Sequence, residues 1–346
     1  MSKNVLICPL DWGLGHATRC IPIIRELQAM GHQVLIAGSG PSLDLLKIEF
    51  PSNKFFEIPS YDISYSRNIP LLFYLLSKTP SLLSIIKKEN QHLKRIVEQE
   101  KIDRIISDNR YGCYHRKIPS VIIIHQLSLQ LPMVLKGIAN SYNARFIRRF
   151  NECWVPDAPD RKLSGNLSNS RSIIPKFIGP LSRMTGNSLR PSTYRVLALI
   201  SGPEPQRTHF ETALYRELKD SGVSYYVVRG LPCGNSEERD RTFSHLPSSQ
   251  LNELIEAADV VVSRSGYSTI MDLAALRKKA IFVPTPGQTE QLYLAKELDR
   301  KKIAVMMLQD KFSLKAALRQ LHDYTGFTED YFKGNFLQTT LREFLD

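Results

Sequence analysis

The chain reads as an α/β protein of two doubly wound domains with parallel sheets. Three observations predict this. Strand-like and helix-like segments alternate from end to end, the pattern of βαβ units. A length of 346 residues is long for one domain and natural for two. A stretch rich in glycine, proline and serine, residues 179–192 (GPLSRMTGNSLRPS), separates two runs of that alternation. The expected parts are a first domain over 1–180, a linker over 181–192, a second domain over 193–326, and a terminal helical segment over 327–346 with a place against the first domain.

In the first half, short aliphatic and β-branched runs predict strands over 5–9, 33–37, 54–58, 104–107, 120–125 and 153–156. Apolar residues at helical spacing predict helices over 18–30, 71–76, 80–100 and 133–150. The second half restarts with a strand over 195–200, a helix over 208–220, a strand over 225–229 and a helix over 249–257. After the segment 259–295 come a strand over 303–307, a helix over 314–324 and a last helix over 331–345. A cleft between two such halves is the default place for a ligand.

Bulk composition narrows the class. A hydrophobic content of 42% is that of a globular protein with ordinary cores. No apolar run reaches the roughly 18 residues of a membrane-spanning helix, and the chain enters a strand (NVLICPL) almost at once, so no signal peptide is expected. The five cysteines, Cys8, Cys20, Cys113, Cys153 and Cys233, lack C-x-x-C or metal spacing, which fits free thiols in a reducing cytoplasm. The net charge of +12 is uneven: 24 Lys+Arg against 14 Asp+Glu in residues 1–180, 22 against 20 in the rest. Such a surface suits nucleic acid or anionic lipid, or simply solubility. No nucleic-acid motif or aromatic-basic interleaving is present, so nucleic acid is not expected. Two apolar runs, 69–76 (IPLLFYLL) and 82–86 followed by Lys87 and Lys88, and the run 145–150 suggest contact with an anionic membrane surface. The plain alternative is that these residues are core.

The segment 259–295 (DVVVSRSGYSTIMDLAALRKKAIFVPTPGQTEQLYLA) is the most informative. It reads as a strand over 259–262, a turn over 263–268, a helix from about 269 with Ile270, Leu273 and Leu276 inward, a second strand, and a loop over 284–291. The turn's Ser265 and Gly266 permit close backbone approach by a ligand. The first helical turn attracts an anion, phosphate above all. Asp272 lies one turn further on. Both loops fall on the carboxyl edge of a parallel sheet, where ligands bind. The first strand likewise runs into Gly13, Gly15 and His16. This is not the G-x-G-x-x-G dinucleotide pattern, because Thr18 stands at the third position. A histidine at a helix start titrates near neutrality and suits a general base for a sugar hydroxyl. A capping or locally packed histidine is the equal alternative. Arg19 reads as an anion ligand or a solvated arginine. Residues 107–112 and His125-Gln126 follow later strands on the same edge. Asp108 is a second base candidate, an orienter for His16, or a turn acid, and Asp11 is open in the same way.

These residues resemble the GT-B glycosyltransferases, most of all the peptidoglycan N-acetylglucosaminyltransferase group of the family 28 type. The segment 259–295 carries the likeness, and CPLDWGLGHATR is similar to that family's first glycine loop with its histidine. The resemblance implies two Rossmann-like doubly wound domains facing across a cleft. It implies an inverting, metal-independent hexosyltransferase that moves a sugar from a UDP-sugar to a hydroxyl acceptor, which in that group is lipid-linked. No cofactor or metal is expected, and no Asp-x-Asp motif is present to hold one. By resemblance, Ser265, Gly266, Tyr267 and Ser268 line the diphosphate, and Asp272 holds the ribose where the family more often has Glu. Gln291 and Glu290 face the donor sugar. Ser201, Gly202 and Arg207 contact phosphate, His245 and Leu246 lie near the base, and Arg264 or Arg207 stabilises the leaving group. Gly13, Gly15, Thr18, His125 and Gln126 form the acceptor side, with His16 and Asp108 catalytic. Two other readings remain at this point: an epimerase or hydrolase using Glu290 or Glu204, and a nucleotide-binding regulatory protein without chemistry.

Overall fold

The computed structural model describes residues 2–61, 79–129, 133–186, 192–231, 241–328 and 330–346. The expected helix over 71–76, the apolar run around it and Cys233 lie outside the described residues. The chain divides into two compact units, Met1–Leu181 with Phe332–Asp346, and Ser182–Tyr331.

The first unit contains β1 (Asn4–Pro9), α1 (Leu14–Ala29), β2 (Gln33–Gly38), α2 (Gly40–Glu49), β3 (Lys54–Glu57), α3 (Thr79–Glu100), β4 (Arg104–Asp108), β5 (Ser120–Ile123), α4 (Met133–Ile147), β6 (Glu152–Val155), β7 (Lys176–Phe177) and the terminal α10 (Phe336–Leu345). Its sheet runs β3-β2-β1-β4-β5-β6-β7, and every pairing is parallel. Val5, Leu6 and Ile7 of β1 are fully buried. Helices cover both faces of such a sheet, so its central strands read as continuous apolar runs. Leu6, Leu35, Leu93, Val97 and Ile105 share one core cluster. The two-residue β7 is too short to carry a strand pattern, and the sequence reading missed it.

α10 packs within this unit. The Phe344 ring meets Trp154 edge-on at 5.2 Å. Arg104 Nε donates to the Phe344 carbonyl at 2.7 Å, and Gln338 Nε2 to Glu26 Oε1 at 3.0 Å. The expected terminal helix is shorter than read, starting at Phe336 rather than at 331.

The apolar residues at 82–86 mostly point inward. Ile86 is buried with Leu10 and Tyr61, and Leu82, Ile85 and Phe146 pack against that cluster. Only Leu83 among them is counted a large exposed apolar side chain, at 48%. Among the described residues no helix is long and apolar enough to cross a membrane.

One glycine here is fixed by packing. A Cβ on Gly112 would lie 2.4 Å from Glu89 Oε2 and 2.5 Å from the Ile86 carbonyl oxygen. The second neighbour is helix backbone and cannot step aside. Gly112→Ala is expected to destabilise the first unit by about 1–3 kcal/mol, read as a lower urea midpoint; an unchanged midpoint would show that α3 yields freely.

The second unit contains β8 (Tyr194–Leu199), α5 (Gln206–Lys219), β9 (Tyr225–Val228), β10 (Thr242–Phe243), α6 (Ser248–Ala257), β11 (Ala258–Ser263), α7 (Tyr267–Ala275), β12 (Lys279–Phe282), α8 (Thr289–Arg300), β13 (Val305–Met306) and α9 (Leu314–Gln320). The sheet order is β10-β9-β8-β11-β12-β13, again with parallel pairings throughout. Val196, Val260, Val262, Ile281, Phe210 and Leu314 form its core.

Both sheets reverse their winding at one place. In the first unit β1 lies between β2 and β4, and in the second β8 lies between β9 and β11. Chain leaving the carboxyl ends of β1 and β4, or of β8 and β11, turns to opposite sides of the sheet and leaves a crevice. The fold therefore places the loops after these four strands at the ligand-binding edge.

Candidate active site

The first crevice gathers four side chains. α1 begins at Leu14, earlier than the sequence suggests, so Gly15 and His16 lie within its first turn. Gly13 is the N-cap, with φ of 98°, in the left-handed region that favours glycine. This turn brings His16 over the end of β4. His16 Nδ1 lies 2.8 Å from Asp108 Oδ1. Arg19, three residues along the same helix face, donates from Nε and Nη2 to the two Asp108 oxygens. Its Nη1 lies 3.1 Å from His125 Nδ1, just beyond β5. Asp108 is fully buried and Arg19 only 2% exposed, while the His16 side chain keeps 14% exposure.

The charges follow from this arrangement. Burial by itself raises the Asp108 pKa, but Arg19 and then His16 outweigh it and hold the carboxyl at about 2. Burial first, and Arg19 second, lower the His16 pKa from 6.5, against the raising effect of Asp108. His16 is therefore neutral at pH 7 beside an ionised carboxylate. Asp108 pairs with His16 and Arg19 rather than capping its own loop. Arg19 is neither solvated nor open to an external anion; its i,i+3 spacing from His16 was the signal for that. Thr18 Oγ1 turns back to the Gly15 carbonyl at 3.0 Å, so that hydroxyl is engaged by its own helix. Gln126 is half-buried next to His125, and its carbonyl accepts from Asn143 Nδ2 at 3.4 Å.

Asp11 belongs to a separate network. Its Oδ2 accepts from Ser39 Oγ at 2.8 Å and from the Tyr61 N–H at 3.2 Å. Arg110 Nη2 lies 3.6 Å from its other oxygen. Arg110 is fully buried. It donates to the Pro9 and Pro59 carbonyls at 2.7 and 2.9 Å and to Glu89 Oε1 at 2.8 Å. This network ties the β1, β4 and α3 ends together and holds Asp11 within it.

The second crevice is built on α7. Its helix starts at Tyr267, two residues before the expected start, so Tyr267 and Ser268 form the first turn. Gly266, the N-cap, has φ of −68° and no side-chain cap bond. Its glycine is thus not demanded by conformation. A Cβ there would meet only Thr269 Oγ1, at 3.9 Å. A glycine there places no side chain over the helix N-terminus, an end whose dipole favours an anion. Ser265 Oγ donates to the Gln291 carbonyl at 2.8 Å, and Gln291 Oε1 accepts from the Thr285 N–H at 2.8 Å. Glu290 and Gln291 sit in the first turn of α8 rather than in the preceding loop. Across the crevice, Ser201 and Gly202 follow β8. Gly202 has φ of 116°, a conformation that glycine adopts without cost. His245 and Leu246 follow β10 on the same edge, with Leu246 buried.

Four charged residues are tied into the unit. Arg264 faces the core, 1% exposed. It donates to the carbonyls of Val283, Pro284 and Gln206 and to Gln309 Oε1, and stacks at 4.1 Å over Phe210. Burial lowers its pKa to about 9. It braces the sheet end and is not directed to a phosphate. Arg207 is held by Glu204 at 2.6 Å and by Glu211 at 2.9 Å, the latter shared with Arg229 at 2.5 Å, so its guanidinium is engaged within the unit. The same contact and Thr208 engage Glu204, whose side chain stays 55% exposed. Asp272 accepts from Ser182 Oγ at 2.7 Å and lies 3.5 Å from Arg183 Nε. Burial raises its pKa against Arg183 and Ser182. A ribose would have to share this carboxyl with residues 182–183. Among the described residues no group of three or more His, Cys, Asp or Glu is placed to hold a metal ion.

Two parallel sheets of this winding order, each with a switch point at its carboxyl edge, are the two Rossmann-like domains of the GT-B fold. Comparison bears on the particular kind. Residues 235–329 match the glycosyltransferase family 28 C-terminal domain. An uncharacterized glycosyltransferase of Methanosarcina mazei is 24% identical over 328 residues, covering 84% of this chain and 81% of its own. The UDP-N-acetylglucosamine--N-acetylmuramyl-(pentapeptide) pyrophosphoryl-undecaprenol N-acetylglucosamine transferase of Haemophilus ducreyi is 23% identical over 342 residues, covering 93% and 89%. The spinosyn rhamnosyltransferase SpnG, solved with thymidine diphosphate, shares the fold at a TM-score of 0.63 and 14% identity, covering 99% of this chain and 96% of its own. The chain thus resembles the glycosyltransferases of family 28.

Proposed function

We propose that the enzyme transfers a sugar from a UDP-sugar to a hydroxyl acceptor by a single inverting displacement that needs no metal. The observation that carries this reading is the 2.8 Å contact between His16 Nδ1 and the buried Asp108 carboxylate. It leaves Nε2 as the basic nitrogen of a neutral ring. That nitrogen takes the proton from the acceptor hydroxyl as its oxygen attacks the anomeric carbon. The glycosidic bond to the nucleoside diphosphate breaks on the opposite face, so configuration inverts. The charge that develops on the departing diphosphate is met by the α7 N-terminus at Gly266 to Ser268, a fixed dipole requiring no reorganisation. Ser265 braces this turn through Gln291. With Arg264 and Arg207 committed inside the unit, backbone groups rather than a basic side chain take that part. The choice of UDP follows the Haemophilus ducreyi relative, whose name specifies it. The same name suggests a lipid-linked acceptor.

Nucleotide binding tests the donor half. A ligand at a hundredfold excess over its Kd stabilises the folded state by about 2.7 kcal/mol. UDP is expected to raise the melting temperature more than GDP or TDP. Gly266→Val is expected to abolish that shift while leaving the unliganded melting temperature in place, because only Thr269 Oγ1 lies near the added carbon. Absence of a shift with every nucleotide would remove the donor assignment. Turnover that EDTA abolishes and a divalent cation restores would remove the metal-free mechanism.

A further inference from the structure

The geometry points to Arg19 as the positioning residue of the acceptor-side site: one guanidinium ties Asp108, His16 and His125 together and fixes the two imidazoles in opposite tautomers. This rests on the reading of His16 as the base and extends it to a residue three positions along α1.

A guanidinium has five N–H donors in one plane and no acceptor. Arg19 Nε and Nη2 serve the two oxygens of Asp108. Its Nη1 faces His125 Nδ1 at 3.1 Å. A group that only donates requires an acceptor there, so His125 Nδ1 carries the lone pair and the ring proton sits on Nε2. His16 meets the opposite demand. Its Nδ1 lies 2.8 Å from Asp108 Oδ1, and an ionised carboxylate only accepts. Arg19 Nη2 is also 2.7 Å from that nitrogen. A lone pair on Nδ1, however, would sit against the lone pairs of the carboxylate oxygen. The proton therefore stays on Nδ1, and Nε2 is basic. One ring accepts a proton at Nε2 while the other offers one from Nε2. That is the pair of functions an attacking hydroxyl and a neighbouring substrate oxygen call for.

The charge of Arg19 acts in the same direction. Arg19, Asp108 and Cys20 all lie at 2% exposure or less, where water screens little. The charged and titratable groups around His16 are Arg19, Asp108 and His125. After burial, Arg19 lowers the His16 pKa, Asp108 raises it, and His125 lowers it. Removing the arginine or the carboxylate thus has opposite signs. A residue that merely filled space would shift neither.

The test is NMR of the full-length protein labelled with 15N-histidine, with His16→Ala and His125→Ala spectra giving the assignments. Two-bond nitrogen–proton couplings report each tautomer without any substrate. The wild type is expected to show His16 protonated at Nδ1 and His125 at Nε2. Arg19→Met is expected to raise the His16 titration midpoint and Asp108→Asn to lower it. Arg19→Lys keeps the charge but not the fork: the His16 midpoint should stay near that of the wild type, while His125 loses its single tautomer. A wild-type His125 protonated at Nδ1, or an Arg19→Met midpoint that stays or falls, overturns the proposal. If Arg19→Met does not fold, the wild-type tautomers and Arg19→Lys decide. Because no turnover is read, the result stands apart from the catalytic assignment: tautomers as stated, with His16→Ala still active, would sink the base and leave the role of Arg19 intact.

Discussion

His16→Ala is expected to lose turnover by about 10²–10⁴-fold while nucleotide binding is retained. The two halves of the prediction rest on different units. His16 belongs to α1 at the first switch point, and the proposed donor contacts belong to α7 at the second. Removing the imidazole takes away the proton acceptor and leaves every contact at the α7 N-terminus in place. Full turnover in this variant would remove His16 as the base, and lost nucleotide binding would show that the variant is damaged elsewhere. The pH profile carries a sign. Neutral His16 is the working form, and its pKa lies below 6.5. The rate kcat/KM should fall as pH drops through that value, with the acid limb on the acid side of 6.5. Asp108, at about 2, remains ionised over that limb and adds no second step.

Glu89→Ala is expected to cost about 3–5 kcal/mol of stability, because it breaks a buried ion pair and takes the nearest counter-charge from a buried guanidinium. Arg110 and Glu89 are both fully buried and 2.8 Å apart. Glu89 Oε2 also accepts from Tyr61 Oη at 2.9 Å and from the Gly112 N–H at 2.8 Å. Arg110 keeps its carbonyl partners and the more distant Asp11, at 3.6 Å, in the variant but loses its nearest counter-charge. Burial pushes the Glu89 pKa up, Arg110 and the hydrogen bonds pull it back, and the upward direction remains. The pair is thus costly to bury and costlier to break. Glu89→Gln should recover part of the loss, since its carbonyl still accepts one of these bonds. Urea unfolding measures both variants, and a Glu89→Ala midpoint equal to that of the wild type would contradict the packing described.

Much of the fold was legible because parallel α/β structure writes itself locally. Val5–Pro9 and Ala258–Ser263 are buried on both faces and read as apolar runs. α7 shows its inward face through Ile270 and Leu273 at helical spacing. The two-residue strands β7 and β10 are shorter than any pattern, and their existence depends on a neighbouring strand; the strand expected over 303–307 is present as the short β13. Helix starts were read late at 18 and 269 because glycine caps precede the first apolar residue. Arg264 misled for a different reason: a basic residue after a strand looks the same in sequence whether its donors face ligand or core. Gln309, which accepts from it, lies 45 positions away.

By itself the sequence determined the α/β class, the alternation that makes two doubly wound units, and the two segments that fall at sheet switch points: His16 behind Gly13 and the run from 259 to 295. These follow from residue periodicity and turn chemistry, which act over a few positions along the chain. Only the tertiary structure decided the partner of each charged side chain. Arg19 meets Asp108 across 89 positions and His125 across 106, through the adjacency of β1, β4 and β5. Asp272 meets Ser182 across 90. Coulomb and hydrogen-bond energies depend on distances in space, and strand order sets those distances. The same imidazole is a cap, a core residue or a base according to which carboxylate the sheet brings beside it.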